Sequence, residues 1–269
     1  GTTVALNTES TAEDVAYILG DCGVRFLIAG HRLLTRLLAA TPAEPGGKAL
    51  TAGSPLEGLL VWNAPKGADL PGVGVPVMEL PEALEAESAA SPGARVIDLD
   101  NASVVYTSGS TGKPRGAVLS HLNIVSNTRS IVDYLELTPD DRIMAVLPFH
   151  SIYGKSLLNT HFFVGGSVVV DNRFLYPNVV LQTMREQEVT GFAGVPSTFT
   201  ILLSRSNLKS SKFPSLRYVT QAGGAMAPSV QKEVAAAFSP AKLFVMYGAT
   251  EASARLSYLD PTDLPRKWG

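Results

Sequence analysis

Residues 104–119 read VVYTSGSTGKPRGAVL and carry the strongest signal in the chain. An apolar run ends at Tyr106 and another begins at Ala117, which predicts two strands joined by a loop. Between Tyr106 and Gly116 there are three glycines, four Ser or Thr hydroxyls and two cations. Glycines let the backbone approach a ligand, while hydroxyls and cations donate hydrogen bonds to anionic oxygens. This composition predicts a loop that binds a polyphosphate.

Two other interpretations of this loop are less favourable. A Walker A motif requires glycine at the position of Thr107 and serine or threonine at that of Pro114, so an ordinary P-loop NTPase is disfavoured. A plain surface loop would also be rich in serine, threonine and glycine. However, the interpretation as a plain surface loop does not explain why Lys113 and Arg115 lie in a loop between two predicted strands.

Two further loops directly follow predicted strands. In Tyr247-Gly248-Ala249-Thr250-Glu251, the aromatic ring can stack on a base, the threonine can reach a phosphate and the carboxylate can hold Mg²⁺. In Gln221–Met226, paired glycines allow a flat ligand to lie against the backbone. Ligands of open parallel sheets bind at the carboxyl ends of strands. Taken singly, each loop is equally consistent with a simple turn.

Composition limits the classes of function. The 269 residues are sufficient for one large domain or two modest ones, and the formal charge of −2 gives no overall attraction to nucleic acid. The single cysteine cannot form an internal disulfide, so a cytoplasmic location is expected. No apolar run approaches the ~18 residues of a membrane span.

Strand and helix signals alternate along the chain, which predicts an α/β fold with mostly parallel sheets flanked by helices. We divide it into residues 1–101, which include a Pro/Gly-rich loop region, and residues 102–269, an α/β core that contains the three loops. The predicted helices are one capped by Thr11 and then Arg32–Ala40, Glu82–Glu87, His121–Tyr134, Val179–Glu186, Ser197–Leu203 and Pro228–Phe238. The predicted strands are Val24–Ile28, Leu59–Trp62, Val104–Tyr106, Ala117–Leu119, Ile143–Leu147, Ser167–Val170, Gly191–Ala193, Leu216–Thr220 and Leu243–Tyr247.

In this order and at these separations, the three loops resemble the acyl-adenylate-forming (AMP-binding) superfamily. It contains acyl-CoA synthetases, luciferase and the adenylation domains of nonribosomal peptide synthetases. The signature Tyr-Thr-Ser-Gly-Ser-Thr-Gly-x-Pro-Lys-Gly is matched from Tyr106 to Gly116, with Arg115 replacing the lysine. The motif Tyr-Gly-x-Thr-Glu is intact at Tyr247–Glu251. The resemblance implies part of the large N-terminal domain of such an enzyme, without its small C-terminal domain.

The resemblance also implies roles for individual residues. Thr250, Glu251 and Lys113 would be catalytic, with Thr250 on the α-phosphate and Glu251 as the Mg²⁺ ligand. The residues implied to cradle the β- and γ-phosphates are Thr107, Ser108, Gly109, Ser110, Thr111, Gly112 and Lys113. The residues implied to bind adenine are Gly223, Gly224, Ala225, Tyr247 and Gly248.

The segment Leu147–Gly154 resembles the acid-side motif of the same enzymes. In ungapped register the histidine of the family falls on Ser151, one place after His150. His150, Ser151 and Tyr153 are therefore the candidate contacts of the acid, and a packed or solvated His150 is an equal alternative. Nearby aromatic and aliphatic residues either line an apolar pocket for the acid or belong to the ordinary core: Phe149, Ile152, Tyr153, Phe162, Phe192 and Phe199.

The implied reaction is ATP-dependent activation of a carboxylic acid to an acyl-adenylate, followed by thioester formation with CoA. The alternatives are transfer to the phosphopantetheine of a carrier protein, or a truncated nucleotide-binding module without turnover. An apolar pocket would favour a fatty or aromatic acid. By resemblance the chain ends before a ribose-binding aspartate, a hinge and a catalytic lysine, so impaired activity is expected of this chain alone.

Overall fold

A computed structural model describes residues 1–40, 53–68, 74–107 and 112–268. The chain divides into two compact units. The first comprises Gly1–Ala5, Ile97–Thr107 and Gly116–Gly269, and the second comprises Leu6–Val96 and Ser108–Arg115. The sequence-based division at residue 101 stays a prediction.

The described elements alternate as expected for an α/β protein. The helices are α1 (Ala12–Asp21), α2 (His31–Ala39), α3 (Leu80–Ala86), α4 (His121–Leu135), α5 (Ile152–Val164), α6 (Pro177–Glu186), α7 (Pro196–Arg205) and α8 (Pro228–Phe238). The strands are β1 (Thr3–Ala5), β2 (Phe26–Gly30), β3 (Gly58–Trp62), β4 (Val77–Glu79), β5 (Asn101–Thr107), β6 (Arg115–Ser120), β7 (Arg142–Ala145), β8 (Ser167–Val170), β9 (Gly191–Gly194), β10 (Tyr218–Gln221), β11 (Lys242–Tyr247) and β12 (Ser257–Leu259).

The larger sheet of the first unit has the strand order β12-β11-β10-β9-β7-β8 within the described residues. Its pairings are parallel, except that β12 runs antiparallel to β11 at the edge. A smaller sheet has the order β1-β5-β6, and β1 is parallel to β5. The prediction of mostly parallel sheets flanked by helices is confirmed. The antiparallel β12 was not predicted.

The core of the first unit lies on both faces of the larger sheet. Successive strand residues point to opposite faces, and Ile143 and Met144 accordingly belong to different apolar clusters. One cluster contains side chains of α4 and α5 and the other those of α6, α7 and α8. The sheet is therefore a layer between two layers of helices, which leaves its carboxyl edge open for loops.

The second unit has a separate parallel sheet of order β2-β3-β4 and its own apolar core. Helix α1 is capped by Thr11, whose hydroxyl accepts from the amide of Asp14 while the Asp14 carboxylate accepts from the Thr11 amide. This capping box is the one expected from the sequence. No helix in the described part of the chain has the length and apolar character needed to cross a membrane.

Helix α5 was not predicted because its buried face is not uniformly apolar. Ser156, Thr160 and His161 are buried on it beside Leu157. The hydroxyl of Ser151 accepts from the Gly154 amide at 3.0 Å and so caps the helix. Hydrophobic periodicity therefore does not find α5, although its capping residue is one that favours helix starts.

Candidate active site

Three segments singled out in the sequence meet at one edge of the larger sheet. Strands β7, β10 and β11 are oriented alike, and each predicted segment lies at or directly beyond the carboxyl end of its strand. These segments are Leu147–Gly154, Gln221–Met226 and Tyr247–Glu251. The topology thus brings the implied acid motif and two implied nucleotide motifs to one place.

The Tyr247–Glu251 segment is a tight turn whose first and last side chains are exposed. Tyr247 is 66% exposed, so its ring is accessible to a planar ligand. A short 3₁₀ turn covers Thr250–Ala252, and the Glu251 carboxylate is exposed. Within the described residues, Glu251 has no hydrogen bond or ion pair, so none of these residues neutralises its charge.

Gly248 allows this turn to close on itself. A Cβ at Gly248 would lie 1.7 Å from the carbonyl oxygen of Ala254, a distance that no side chain tolerates. The amide of Leu256 donates to the carbonyl of Tyr247 at 2.9 Å and closes the turn. Its second half contains Ser253 at φ 60° and Ala254 at φ 117°, which are unfavourable for residues with a Cβ. Glu251 is therefore presented from a constrained backbone.

The Gln221–Met226 loop is fixed from beneath by Gln221. This side chain is buried, and its Nε2 donates to the carbonyl of Gly224 at 2.8 Å. Gly223 has a φ of 84°, in the region that favours glycine. Gly223, Gly224 and Ala225 are exposed at the edge of the sheet. Their exposed backbone is available to a ligand, as the sequence interpretation requires.

Ser151 and His150 differ in their surroundings, since Ser151 forms hydrogen bonds at the start of a helix and His150 is only half-buried. The Ser151 hydroxyl donates to the carbonyl of Pro148 at 2.8 Å and caps α5, so its hydrogen bonds serve the start of the helix. His150 is half-buried, and burial lowers the pKa of its imidazole. Burial therefore favours the uncharged form of the ring. The roles of both residues toward an acid stay predictions.

Tyr153 is buried beneath the edge of the sheet. Its hydroxyl shares a 2.8 Å hydrogen bond with the hydroxyl of Thr220 on β10. Burial raises the pKa of the Tyr153 phenol to about 12, and the positive charge of Arg255 acts in the opposite direction. The residue therefore joins α5 to the sheet, and a direct contact with an acid stays a prediction.

The aromatic residues near these motifs divide into core and surface. Phe192 and Phe199 are fully buried with ring centroids 6.0 Å apart in the cluster on the α6–α8 side, so they are core residues. Phe162 is 64% exposed on α5, and Phe149 packs partly buried against the other cluster. Of the alternatives left open by the sequence, core packing is correct for Phe192 and Phe199.

The phosphate loop lies partly outside the described residues, which omit Ser108–Thr111. Thr107 is half-buried at the end of β5, and Gly112 and Lys113 are exposed. The Lys113 ammonium lies 5.2 Å from the centre of the Tyr17 ring, within the same compact unit. This distance is typical of a cation–π contact. The phosphate contacts of the loop stay predictions.

A cavity of about 690 Å³ lies at the opposite edge of the sheet. It is lined by the first residues of β10 and β11 together with Tyr134, Tyr258 and Trp268. None of the predicted site residues that the structure describes lines it. It is therefore separate from the edge where the motifs meet.

The sequence interpretation named Gln221 only as the start of a loop, and it missed Thr220 and Arg255, which also support the edge. Thr220 and Gln221 are buried at the end of β10, and Arg255 is buried just after the Tyr247–Glu251 motif. Among the described residues, no group of three His, Cys, Asp or Glu side chains is arranged to hold a metal ion. Two adjacent buried polar residues at the end of β10 are the signal that would have pointed to Thr220 and Gln221.

A family comparison agrees with the motifs. The model of the family described as AMP-binding enzyme matches residues 1–268. The chain belongs to the AMP-binding enzyme family. Its place in that family confirms the resemblance inferred from Tyr106–Gly116 and Tyr247–Glu251.

Relatives in this family are acyl-CoA ligases. The chain is 30% identical to indoleacetate–CoA ligase of Aromatoleum aromaticum over 62% of its own length and 32% of that protein. It is 28% identical to the acyl-CoA ligase sidI of Aspergillus fumigatus over 93% of its own length and 42% of that protein. A crystal structure of ATP-bound MatB from Rhodopseudomonas palustris matches with a TM-score of 0.76 and 26% identity, covering 97% of this chain and 47% of MatB. The chain spans less than half the length of these relatives.

Proposed function

We propose that this chain provides the nucleotide- and acid-binding core of an enzyme that activates a carboxylic acid with ATP and then forms a thioester with CoA. The observation that carries the proposal is the meeting of Leu147–Gly154, Gln221–Met226 and Tyr247–Glu251 at one edge of the sheet. Membership of the AMP-binding family and the acyl-CoA ligase relatives support it.

We assign the nucleotide base to the two loops on β10 and β11. The exposed Tyr247 ring supplies a stacking surface. The exposed segment Gly223–Ala225 follows β10, which is the neighbour of the strand that ends at Tyr247. The Thr250 hydroxyl then contacts the α-phosphate. The residues Thr107–Lys113 bind the outer phosphates, where glycine backbone, hydroxyls and the Lys113 ammonium neutralise charge.

Glu251 is suited to a magnesium ion bound together with ATP. Mg²⁺ is usually held by one or two carboxylates, substrate phosphates and several waters rather than by a cage of protein ligands. A single exposed carboxylate that has no partner in the described part of the chain fits that pattern. When bound, the ion would neutralise phosphate charge near the reacting phosphorus.

The chemistry of the first step is a substitution at phosphorus. A carboxylate oxygen of the acid forms a bond to the α-phosphorus of ATP, the bond to the bridging oxygen breaks, and pyrophosphate leaves. In the second step the thiol sulfur forms a bond to the acyl carbon, AMP leaves and the thiol proton passes to solvent. The protein mainly positions the reactants and stabilises charge. His150, Ser151 and Tyr153 are the side chains we place on the acid side.

A second candidate function differs from the first only in the acceptor of the acyl group. The phosphopantetheine of a carrier protein carries the same thiol as CoA, and the motifs do not distinguish them. The relatives act with CoA by name, and this favours CoA as acceptor. A cytoplasmic location, where ATP and CoA are available, stays part of the proposal.

ATP–pyrophosphate exchange tests the proposal directly. Intact protein is incubated with Mg·ATP, labelled pyrophosphate and single members of a panel of aliphatic and aromatic acids. We expect label to enter ATP only when a suitable acid is present. CoA added afterwards should yield AMP and a thioester. Nucleotide binding by calorimetry with no exchange for any acid would instead establish a binding module.

A further inference from the structure

Arg255 is a buried arginine shortly after the Tyr247–Glu251 turn. The residue is 7% exposed, and its Nε is buried without a hydrogen-bond partner in the described residues. No carboxylate among those residues pairs with it. Burying a charge that lacks a counter-ion is costly, and an apolar side chain of similar volume is often equally stable. Stability alone therefore does not explain an arginine at this position.

The contacts of Arg255 join two helices to the turn. The Asn127 side-chain amide donates to the carbonyl of Arg255 at 2.7 Å, and the Arg255 Nη1 donates to the hydroxyl of Tyr134 at 2.9 Å, both on α4. The guanidinium carbon lies 5.3 Å from the centre of the Tyr153 ring on α5. Arg255 thus contacts α5, the helix that begins in the acid motif. In the sequence, Arg255 comes directly after the turn that begins at Tyr247.

The turn itself requires an anchor. Ser253 and Ala254 adopt left-handed φ values, and such strained residues persist only where their surroundings hold them. The Ala254 carbonyl lies against Gly248, so the two ends of the turn are in contact. Arg255 is the next residue and is fixed to α4 through both its backbone and its side chain.

We propose that Arg255 is a positioning residue that holds the Tyr247–Glu251 turn in a fixed orientation relative to Tyr153. The inference rests on the proposed function and adds a residue that lies outside every motif. Tyr153 is hydrogen-bonded to Thr220, directly before Gln221, so the same connection extends to the loop that carries Gly223. Binding of nucleotide and binding of acid then depend on each other through this contact.

The test compares four variants of the intact protein. Arg255→Met removes the charge and keeps much of the volume, while Arg255→Lys keeps the charge above the Tyr153 ring. Tyr134→Phe removes only the hydroxyl that accepts from Arg255. Arg205→Met is the matched control, because Arg205 is an exposed arginine at the far end of α7, away from the carboxyl edge of the sheet.

For Arg255→Met we expect kcat of pyrophosphate exchange to fall about 10- to 100-fold, since small errors of position are costly in catalysis. The KM for ATP should no longer depend on acid concentration. The Tm should stay unchanged or rise. Deuterium exchange of the amides in residues 248–254 should become faster. Arg255→Lys and Tyr134→Phe should give smaller changes in the same direction, and Arg205→Met should match the parent protein.

Two results would overturn the inference. One is unaltered kcat, coupling and amide exchange in folded Arg255→Met. The other is a loss of activity that follows a lowered Tm and disappears on cooling, which would mean that Arg255 only supports the fold. If the parent protein exchanges pyrophosphate with no acid, the proposed function fails. The amide exchange of residues 248–254 still decides the role of Arg255 in that case.

Discussion

At Glu251, a substitution should affect activity strongly and stability very little. Its carboxylate is exposed and has no partner among the described residues, so Glu251→Gln should leave Tm nearly unchanged. We expect the rate of acyl-adenylate formation to fall about 100-fold or more, because charge stabilisation at the reacting phosphates is lost. Pyrophosphate exchange over a series of Mg²⁺ concentrations measures this. Normal activity of the variant at limiting Mg²⁺ would contradict the assignment.

The fold of the turn requires glycine at position 248, whether or not a nucleotide is bound. In Gly248→Ala the new methyl would meet the Ala254 carbonyl at 1.7 Å, so the turn must open. We expect a loss of about 1–3 kcal/mol in the free energy of unfolding, measured in denaturant. Gly224→Ala is the stability control, since its methyl would meet only Pro196 atoms at 3.5 and 3.7 Å. Equal stability of both variants would show that the turn rearranges freely.

At the scale of residues, the sequence was informative where chemistry is carried by a string of neighbouring side chains. Tyr247, Thr250 and Glu251 were found because they are consecutive or nearly so, and the structure places them on one exposed turn. Arg255 was not found, because its importance depends on Tyr134 and Tyr153, which are far away in the chain. Contacts of this kind leave no local pattern.

Helix α5 shows how an element ties the acid motif to the fold. Ser151 is its N-cap, so Ser151→Ala should lower the free energy of unfolding by about 0.5–2 kcal/mol. Ser151→Asn keeps a capping oxygen and should restore most of this stability. If capping is the whole role of Ser151, the KM for the acid stays unchanged in Ser151→Asn. A raised acid KM in that variant, with the KM for ATP unaltered, would instead support a contact with the acid.

The elements that the sequence predicted are those with a clear period or cap. Helix α8 was placed at the observed bounds, and the cap of α1 at Thr11 is as expected. Helix α5 was missed because polar side chains occupy its buried face. The edge strand β12 was missed because Ser257–Leu259 is too short to show alternation, and its pairing with β11 exists only in the folded sheet.

At the scale of the whole molecule, buried titratable groups set the range of pH in which the fold is most stable. His161 is 1% exposed on α5 and hydrogen-bonds through Nε2 to the Tyr218 hydroxyl at 2.9 Å and through Nδ1 to the Leu157 carbonyl at 2.9 Å. Burial lowers the pKa of His161 from 6.5 to about 4, with smaller opposing effects of the Leu157 hydrogen bond and the Asp141 charge, and Arg255 lowers it further.

The sign of the pH dependence follows from where protons bind. Between pH 6.5 and about 4 the unfolded chain protonates this histidine and the folded protein does not, so stability falls as pH falls through this window. The shift corresponds to about 3 kcal/mol in total. On the alkaline side, Tyr153 has its pKa raised to about 12, so the unfolded chain loses its proton first and stability falls above pH 10. The most stable range therefore lies between these limits.

We expect His161→Gln to remove most of the acid-side decline, because the amide can replace a hydrogen bond but takes up no proton. Urea unfolding at pH values from 4 to 7 measures the free energy of unfolding of parent and variant. His31→Gln is the matched control, since it removes a histidine from the second unit. Asp141, paired with Arg217, stays in all three proteins and gives them a shared residual slope at the lowest pH. A decline between pH 6.5 and 4 that is the same in His161→Gln and in the parent would show that His161 does not control it.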